Sequence, residues 1–226
     1  MRSRPERGRV YRILNQPWCY SLILGVSGAA AGRREFFRQY ADIPPGSRVL
    51  EIGCGHGRNI EYMPEGVAYT GCDPNPRYIH YAQQRYGSLG RFLCVSAEEL
   101  AQQPLGEFDI VLIVSVLHHL NDTQVLALAA SARGALRAGG LLLAWEPCWT
   151  PSQQWVDRLM LSLDRGRFVR TPDGYSMLLE KIFGSIETRF LMTPKMLWPQ
   201  SGCILRGMTS GGTNSCSVTN PKYAPA

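Results

Sequence analysis

Between Arg48 and Asn59 the chain reads RVLEIGCGHGRN, an apolar run carrying one acid, Glu51, followed by glycine at positions 53, 55 and 57. Glycines at that spacing after a buried strand let the backbone come close to a ligand. The neighbouring residues narrow the ligand. A phosphate-binding P-loop would run on to Gly-Lys-Ser/Thr, which this turn does not do. A dinucleotide turn wants glycine at position 58, where the chain has Arg58. Glu51 would repel a pyrophosphate and attract an ammonium or sulfonium centre. A second acid, Asp73, closes the next apolar run 20 residues after Gly53, where a carboxylate can accept from both ribose hydroxyls of an adenosine. Ser96-Ala97-Glu98 can offer backbone and carboxylate groups to an adenine edge.

The elements that must hold these residues alternate. Apolar runs at 48–53, 67–73, 92–100, 108–117 and 139–147 read as five strands, the fourth of them (FDIVLIVSVL) apolar enough to be buried on both faces. Helical stretches separate them: RNIEYM, RYIHYAQQRYG and TQVLALAASARGALRAG. That rhythm predicts right-handed βαβ units around a parallel sheet, with the ligand at the carboxyl rim of the strands. After Pro147 the rhythm changes. PSQQWVDRLMLSL reads as a helix, DRGRFVR as a loop, and Thr171-Pro172 as the capped start of another helix. SIETRFLM and SGCILRGM read as two late strands.

These segments, VLEIGCGHGRN, YTGCD, VSAEEL, FDIVLIVSVLHHL and LRAGGLLLAWEP in that order, resemble the motifs of class I S-adenosylmethionine (SAM)-dependent methyltransferases, in particular the small-molecule branch that includes the quinone-biosynthesis enzymes. The resemblance covers roughly residues 45–147. It implies an α/β, Rossmann-like fold: a seven-stranded, mostly parallel sheet with its last strand antiparallel and helices on both faces. It implies SAM as cofactor, leaving S-adenosylhomocysteine. By this similarity Glu51 and the Gly53, Gly55 and Gly57 turn lie under the methionine part, Asp73 holds the ribose, Ala97 and Glu98 flank the adenine, and the backbone of Val114 lines the pocket.

Methyl transfer from a sulfonium is an in-line displacement, so the protein must above all hold the nucleophile at ~3 Å in line with the methyl group. A hydroxyl nucleophile also needs a base. His118 and His119, just past the fourth strand, are the candidates. In an extended stretch they would point to opposite faces, and His119 is the preferred base or positioning group. His56, inside the glycine turn, is a candidate pocket residue. Arg165, Arg167 and Arg170 could bind an anionic acceptor or could pair with Asp164 and Asp173. Trp18, Tyr20, Trp145, Trp149 and Trp155 fall where acceptor pockets are shaped, and core packing explains each as well. A pyrimidine-type Pro-Cys nucleophile at Pro147-Cys148 lacks its companion motif, so Cys148 reads as a buried or pocket-wall thiol.

The expected function is therefore methyl transfer to a small molecule, at a hydroxyl oxygen first, with carbon and nitrogen acceptors open, and with a catalytically silent SAM-binding partner or an RNA methyltransferase as alternatives. Nucleic acid is the weaker fit: five arginines against one glutamate in the first twelve residues make a short basic arm, but no RNA-binding module accompanies it. The seven cysteines and four histidines have no metal-ligand spacing, and an odd cysteine count without a framework suggests a reducing cytoplasm. The apolar run from Trp18 to Gly32 is interrupted by glycine and serine and is shorter than the ~20 residues of a membrane span. It reads as part of a helical extension, residues 1–44, that covers the active site and is compatible with a homodimer. Residues 45–208 form the catalytic domain, and the polar residues 209–226 a mobile tail.

Overall fold

The computed structural model describes residues 29–100, 102–103, 105–151, 153–163, 166–192 and 201–210. Residues 1–28, with Trp18, Tyr20 and most of the apolar run, and the tail beyond 210 lie outside the described residues. Seven strands form one sheet: β1 (Arg48–Ile52), β2 (Ala68–Cys72), β3 (Gly90–Leu93), β4 (Phe108–Val114), β5 (Leu136–Pro147), β6 (Ile186–Met192) and β7 (Ser201–Met208). Their order is β3-β2-β1-β4-β5-β7-β6. Strands β1 to β5 pair in parallel, and β7 runs antiparallel to both β5 and β6.

The alternation along each strand divides the core in two, because successive side chains face opposite sides of the sheet. Leu50, Ile52, Val111, Ile113, Leu142 and Ala144 face one cluster, completed by Val125, Leu128 and Ala129 of α4 (Asp122–Ala135) and, after α5 (Trp155–Leu163), by Tyr175, Leu178 and Phe183 of α6 (Pro172–Phe183). Val49, Ile110, Leu112, Val114 and Leu143 face the other. That second cluster is closed by Ile79, Ala82 and Tyr86 of α2 (Pro76–Tyr86), and by Phe36 at the end of α1 (Ala29–Phe36), which continues as a π-helical turn Phe37–Ala41. Both central faces are covered, which is why β1 and β4 read as apolar runs.

Caps start the helices where short-range chemistry demands. Asn121 and Gln124 form a reciprocal capping box for α4, and the Thr171 hydroxyl accepts from Gly174 N–H at the start of α6. Two strands end sooner than the apolar runs suggest. The stretch 92–100 divides into β3 and a short helix, α3 (Ala97–Leu100), because Ser96 and Glu99 cap it reciprocally: Glu99 N–H donates to Ser96 Oγ at 3.2 Å and Ser96 N–H to Glu99 Oε2 at 2.8 Å. The stretch 108–117 leaves the sheet after Val114, where Ser115 turns into left-handed backbone at φ 57°. At the far end, Thr209 is tied back to β5, donating to Arg137 O at 2.8 Å and accepting from Gly140 N–H at 3.1 Å. Among the described residues no helix is long and apolar enough to cross a membrane.

Gly57 shows what the packing of α2 requires. At φ +74° it adopts left-handed backbone, and a Cβ there would lie 2.6 Å from Phe92 Cε1 and 3.0 Å from Ala82 Cβ. Gly57→Ala therefore combines backbone strain with overpacking and should lower the unfolding free energy by about 3 kcal/mol in urea denaturation.

Candidate functional site

The carboxyl ends of β1, β2, β4 and β5 meet at one rim, and the glycine turn begins there. Gly53 N–H and Cys54 N–H both donate to Cys72 O, at 2.8 and 3.0 Å, fastening the turn to the end of β2. The three glycines are needed for different reasons. A Cβ on Gly53 would lie 2.5 Å from Val116 Cγ2, so the turn presses against the segment after β4. Gly57 makes room for α2. Gly55, at φ +53°, has nothing within 4 Å of its Cβ position, so its bare side faces open space. Beside it Gly55 N–H donates to Asp73 Oδ2 at 3.1 Å and Asn75 N–H to Asp73 Oδ1 at 2.8 Å. These bonds orient a carboxylate that is itself half-buried. A half-buried glycine turn, open on its Gly55 side next to an oriented acid at the end of β2, fits the adenosine and methionine parts of SAM.

Glu51 is only 1 % exposed. Both its oxygens are engaged by protein: Asn59 Nδ2 donates to Oε1 at 2.5 Å, and the Tyr69 hydroxyl donates to Oε2. It thus braces the floor of the turn between β1, β2 and the 3₁₀ turn Arg58–Tyr62. Burial pushes its carboxyl up to about 7, against the opposing effect of the two hydrogen bonds and of Arg33.

After Ser115 the chain forms a 3₁₀ turn, Leu117–His119. The histidines therefore lie in a turn and not in an extended stretch, and their rings pack together at 4.0 Å between centroids. The cause is Glu146, which has no exposed surface and was not among the residues singled out from the sequence. Its Oε1 accepts from Val116 N–H at 2.8 Å and Leu117 N–H at 2.9 Å. Its Oε2 accepts from His118 N–H at 3.3 Å and lies 2.7 Å from His118 Nδ1. His118 is buried by this arrangement, whereas His119 is exposed on the rim.

A strap formed by residues 166–170 crosses the same turn. Phe168 N–H donates to His118 O at 3.0 Å, and a Cβ on Gly166 would collide with His118 Cδ2. Arg170 fastens the strap with all five of its N–H groups. They go to Asp122 Oδ1 from Nε (3.1 Å) and Nη2 (2.6 Å), to Leu120 O (2.9 Å) from Nη2, and to Leu117 O (3.2 Å) and Phe168 O (2.9 Å) from Nη1. Arg170 is thus occupied by protein, and among the described residues its acidic partner is Asp122 and not Asp173; Asp164 lies outside the described residues. Arg167 is exposed, and Arg165 lies outside the described residues.

The remaining expected residues are spread around the rim. Val114 is buried at the end of β4, next to Ser115, whose N–H donates to Trp145 O at 2.8 Å. Ala97 packs against the core at the start of α3, and Glu98 beside it is exposed. His56 packs its ring on Tyr78 (4.3 Å) and Tyr81 (5.3 Å), and partial burial lowers its proton affinity. Trp145 stacks on Phe36 at 5.1 Å, and Trp155 is 75 % exposed. Cys148 and Cys203 are buried together with no exposed surface, so Cys148 is the buried thiol of the two readings. Among the described residues no three His, Cys, Asp or Glu side chains group as metal ligands. A cavity of about 420 Å³ lined by Leu100, Leu105, Phe108 and Ala135 lies where β4 begins, away from all these groups.

Solved structures of the same architecture include the pyocyanin biosynthetic protein PhzM (TM-score 0.68, 15 % identity, 89 % of this chain and 61 % of that one). Another is magnesium protoporphyrin IX methyltransferase (ChlM) from Synechocystis PCC 6803 with bound SAH, at TM-score 0.60 and 21 % identity over 89 % of this chain and 93 % of that one. The fold is thus the Rossmann-like fold of class I SAM-dependent methyltransferases. Residues 50–142 match a family described as "Methyltransferase domain". Curated relatives include thiol S-methyltransferase TMT1B of Homo sapiens, 30 % identical over 132 residues, which are 55 % of this chain and 53 % of the relative. The ubiquinone biosynthesis O-methyltransferase of Idiomarina loihiensis is 32 % identical over 112 residues, 48 % of this chain and 45 % of the relative. The chain spans about half the length of these curated relatives.

The burial of Glu51 has a measurable consequence. Its folded pKa, about 7, exceeds the ordinary carboxyl value of 4.5, so the folded state holds the extra proton between those values. Stability contributed by the protonated form is complete below pH 4.5 and is lost as pH rises through 7. The wild type should lose up to about 3 kcal/mol more than Glu51→Gln between pH 5 and pH 8, as read from paired urea titrations.

Proposed function

We propose that the chain is a SAM-dependent methyltransferase of a small molecule whose acceptor atom is a hydroxyl oxygen or a thiol sulfur. The observation that carries this reading is the bare side of Gly55 next to the oriented Asp73, on the same rim as the exposed His119. Bound SAM supplies an electrophilic methyl group on a sulfonium. The protein's own part is to hold its ends and to bring the acceptor into line. Asp73 accepts from the ribose hydroxyls, the backbone around Gly53–Gly57 lies under the methionine part, Ala97 and Glu98 flank the adenine, and Val114 closes the wall. Residues up to 44 and the strap at 166–170 shape the acceptor side, where exposed Phe168 offers an apolar contact. That none of the five described cysteines is disulfide-bonded supports a reducing compartment, as in the cytoplasm.

Oxygen and sulfur acceptors place different demands on His119. A hydroxyl arrives protonated near neutral pH and needs a base, whereas a thiol of pKa ~8.5 is already partly ionised. The oxygen reading is supported by the ubiquinone biosynthesis O-methyltransferase and the sulfur reading by the thiol S-methyltransferase among the relatives.

The first test is formation of S-adenosylhomocysteine with phenolic and alkyl-thiol acceptors. Asp73→Ala should weaken cofactor binding about tenfold or more in calorimetry while the protein stays folded. His119→Ala should reduce turnover of a hydroxyl acceptor about 10²-fold and leave a thiol acceptor within a few-fold. Equal turnover of both acceptors by His119→Ala would remove the base assignment. Absence of any methyl transfer by a protein that binds the cofactor would favour a silent SAM-binding partner.

A further inference from the structure

The sheet ends on two unequal edges. At one, β3 is only four residues long and carries the exposed Arg91, which blunts it. At the other, β6 runs for seven residues and, among the described residues, pairs with β7 alone. Its outer side therefore presents a row of backbone donors and acceptors to any further strand. Edges of that length are commonly guarded by charges that repel a second copy. The charges on β6 do the opposite.

Successive side chains of β6 alternate between the two faces of the sheet. Leu191 is buried in the same cluster as Phe36, whereas Ile186 packs against the cluster under α6. On the face of Leu191 stand Glu187 and Arg189, both exposed, with Arg189 Nε and Nη2 each 2.6 Å from Glu187 Oε1. On the face of Ile186 stand Thr188 and Phe190, whose ring is 57 % exposed. An acid, a neutral residue and a base in a row are their own complement when the strand is laid antiparallel against itself. With Thr188 opposite its own copy, Glu187 of each chain meets Arg189 of the other, and Ile186 of each meets Phe190 of the other. Opposite charges and apolar pairs at such cross-strand positions are favourable, and like charges are not. A two-fold axis perpendicular to the sheet must pass between a residue and its own copy, so the alternative registers are few. Centred on Glu187 or Arg189, the pairing sets like charges opposite; centred on Phe190, it sets Arg189 against Leu191.

We infer that β6 is a homodimer interface: two copies of this chain pair antiparallel along β6, in register about Thr188, and join their seven-stranded sheets into one. The occupant of the edge is a second copy because the charge pattern is complementary to itself. The same pairing gives the exposed Phe190 an apolar neighbour. The inference stands on the edge strand and is independent of the cofactor reading. A pair of seven-residue strands is a small interface, so the dissociation constant should lie in about the micromolar range.

The experiment is sedimentation equilibrium of the full chain over a concentration series reaching the sub-millimolar range. The wild type should pass from monomer to dimer across it. Arg189→Glu and, separately, Glu187→Arg turn attractive pairs into repulsive ones and should raise the dissociation constant about 10- to 100-fold. The double variant Glu187→Arg/Arg189→Glu sets opposite charges across the axis again and should return to within about threefold of the wild type. That rescue separates a cross-strand pair from a general effect of charge or of misfolding. The register has its own test. A residue opposite its own copy has its Cα about 4.5–5.5 Å from it, within reach of a disulfide. Diamide should therefore cross-link Thr188→Cys into a covalent dimer, and should do so far less with Glu187→Cys or with the wild type, which controls for the native cysteines. A wild type that stays monomeric throughout the series would overturn the inference. So would a dimer indifferent to both single reversals, or one that the double reversal fails to restore, because either result puts the interface elsewhere.

Discussion

The geometry of the rim depends on one buried carboxylate. Glu146 ends β5 with no access to water, a position that is costly unless its charge is matched. It is matched by three backbone N–H groups of the segment after β4 and by the ring of His118. Bonding to those N–H groups draws residues 116–118 out of the strand direction and into a tight turn, with the left-handed Ser115 as its hinge. From this follow the burial of one histidine, the exposure of the next, and the place of Val116, whose side chain leaves no room for a Cβ on Gly53. The glycine turn and the histidine turn are therefore two faces of one contact.

A second layer is fastened over this one from the C-terminal half. Tyr175 of α6, fully buried, accepts from Arg170 N–H at 3.3 Å and donates to Pro147 O at 3.2 Å. Trp149 N–H donates to Arg170 O at 3.0 Å. Arg170 spends its donors on the carbonyls of the histidine turn, so strap, turn and the end of β5 are held as a unit. Such a network has a large stake in completeness, because in a water-poor interior each unmatched group costs more than a matched one gains. Arg170 is thus a structural clasp, and recognition of an anionic acceptor would have to come from another group.

The two ends of the chain differ in how they meet the domain. From the N-terminal side, stacked aromatic pairs, Phe36 on Trp145 and Phe37 on Tyr62, lay α1 and the turn after it against the sheet. From the C-terminal side, β7 enters antiparallel between β5 and β6, and Thr209 closes the return with hydrogen bonds to Gly140 and Arg137. The two sides of the sheet are thereby completed by sequence-distant segments around a common parallel core.

What the sequence determined by itself is what depends on local pattern. The apolar runs of β1 and β4, the alternation that divides the core, and the Thr171-Pro172 helix start all follow from periodicity and capping, which act over a few residues. The glycines of the turn and Asp73 were legible because their spacing along one strand-turn-strand unit is itself the signal. Ser96 and Glu99 carried a legible capping pattern too, yet the apolar run hid it. Only the tertiary structure decided what Glu146, Arg170 and Arg33 do. Each acts on groups 28 residues or more away in the chain for Glu146, about 50 for Arg170, and across to β1 for Arg33. A charged residue in a strand or loop looks solvated until packing removes its water, and the sequence does not show which partners the fold will bring to it. The histidine turn makes the same point: its conformation is set by a carboxylate on the neighbouring strand, so no property of His118 and His119 alone could have revealed which of them faces out.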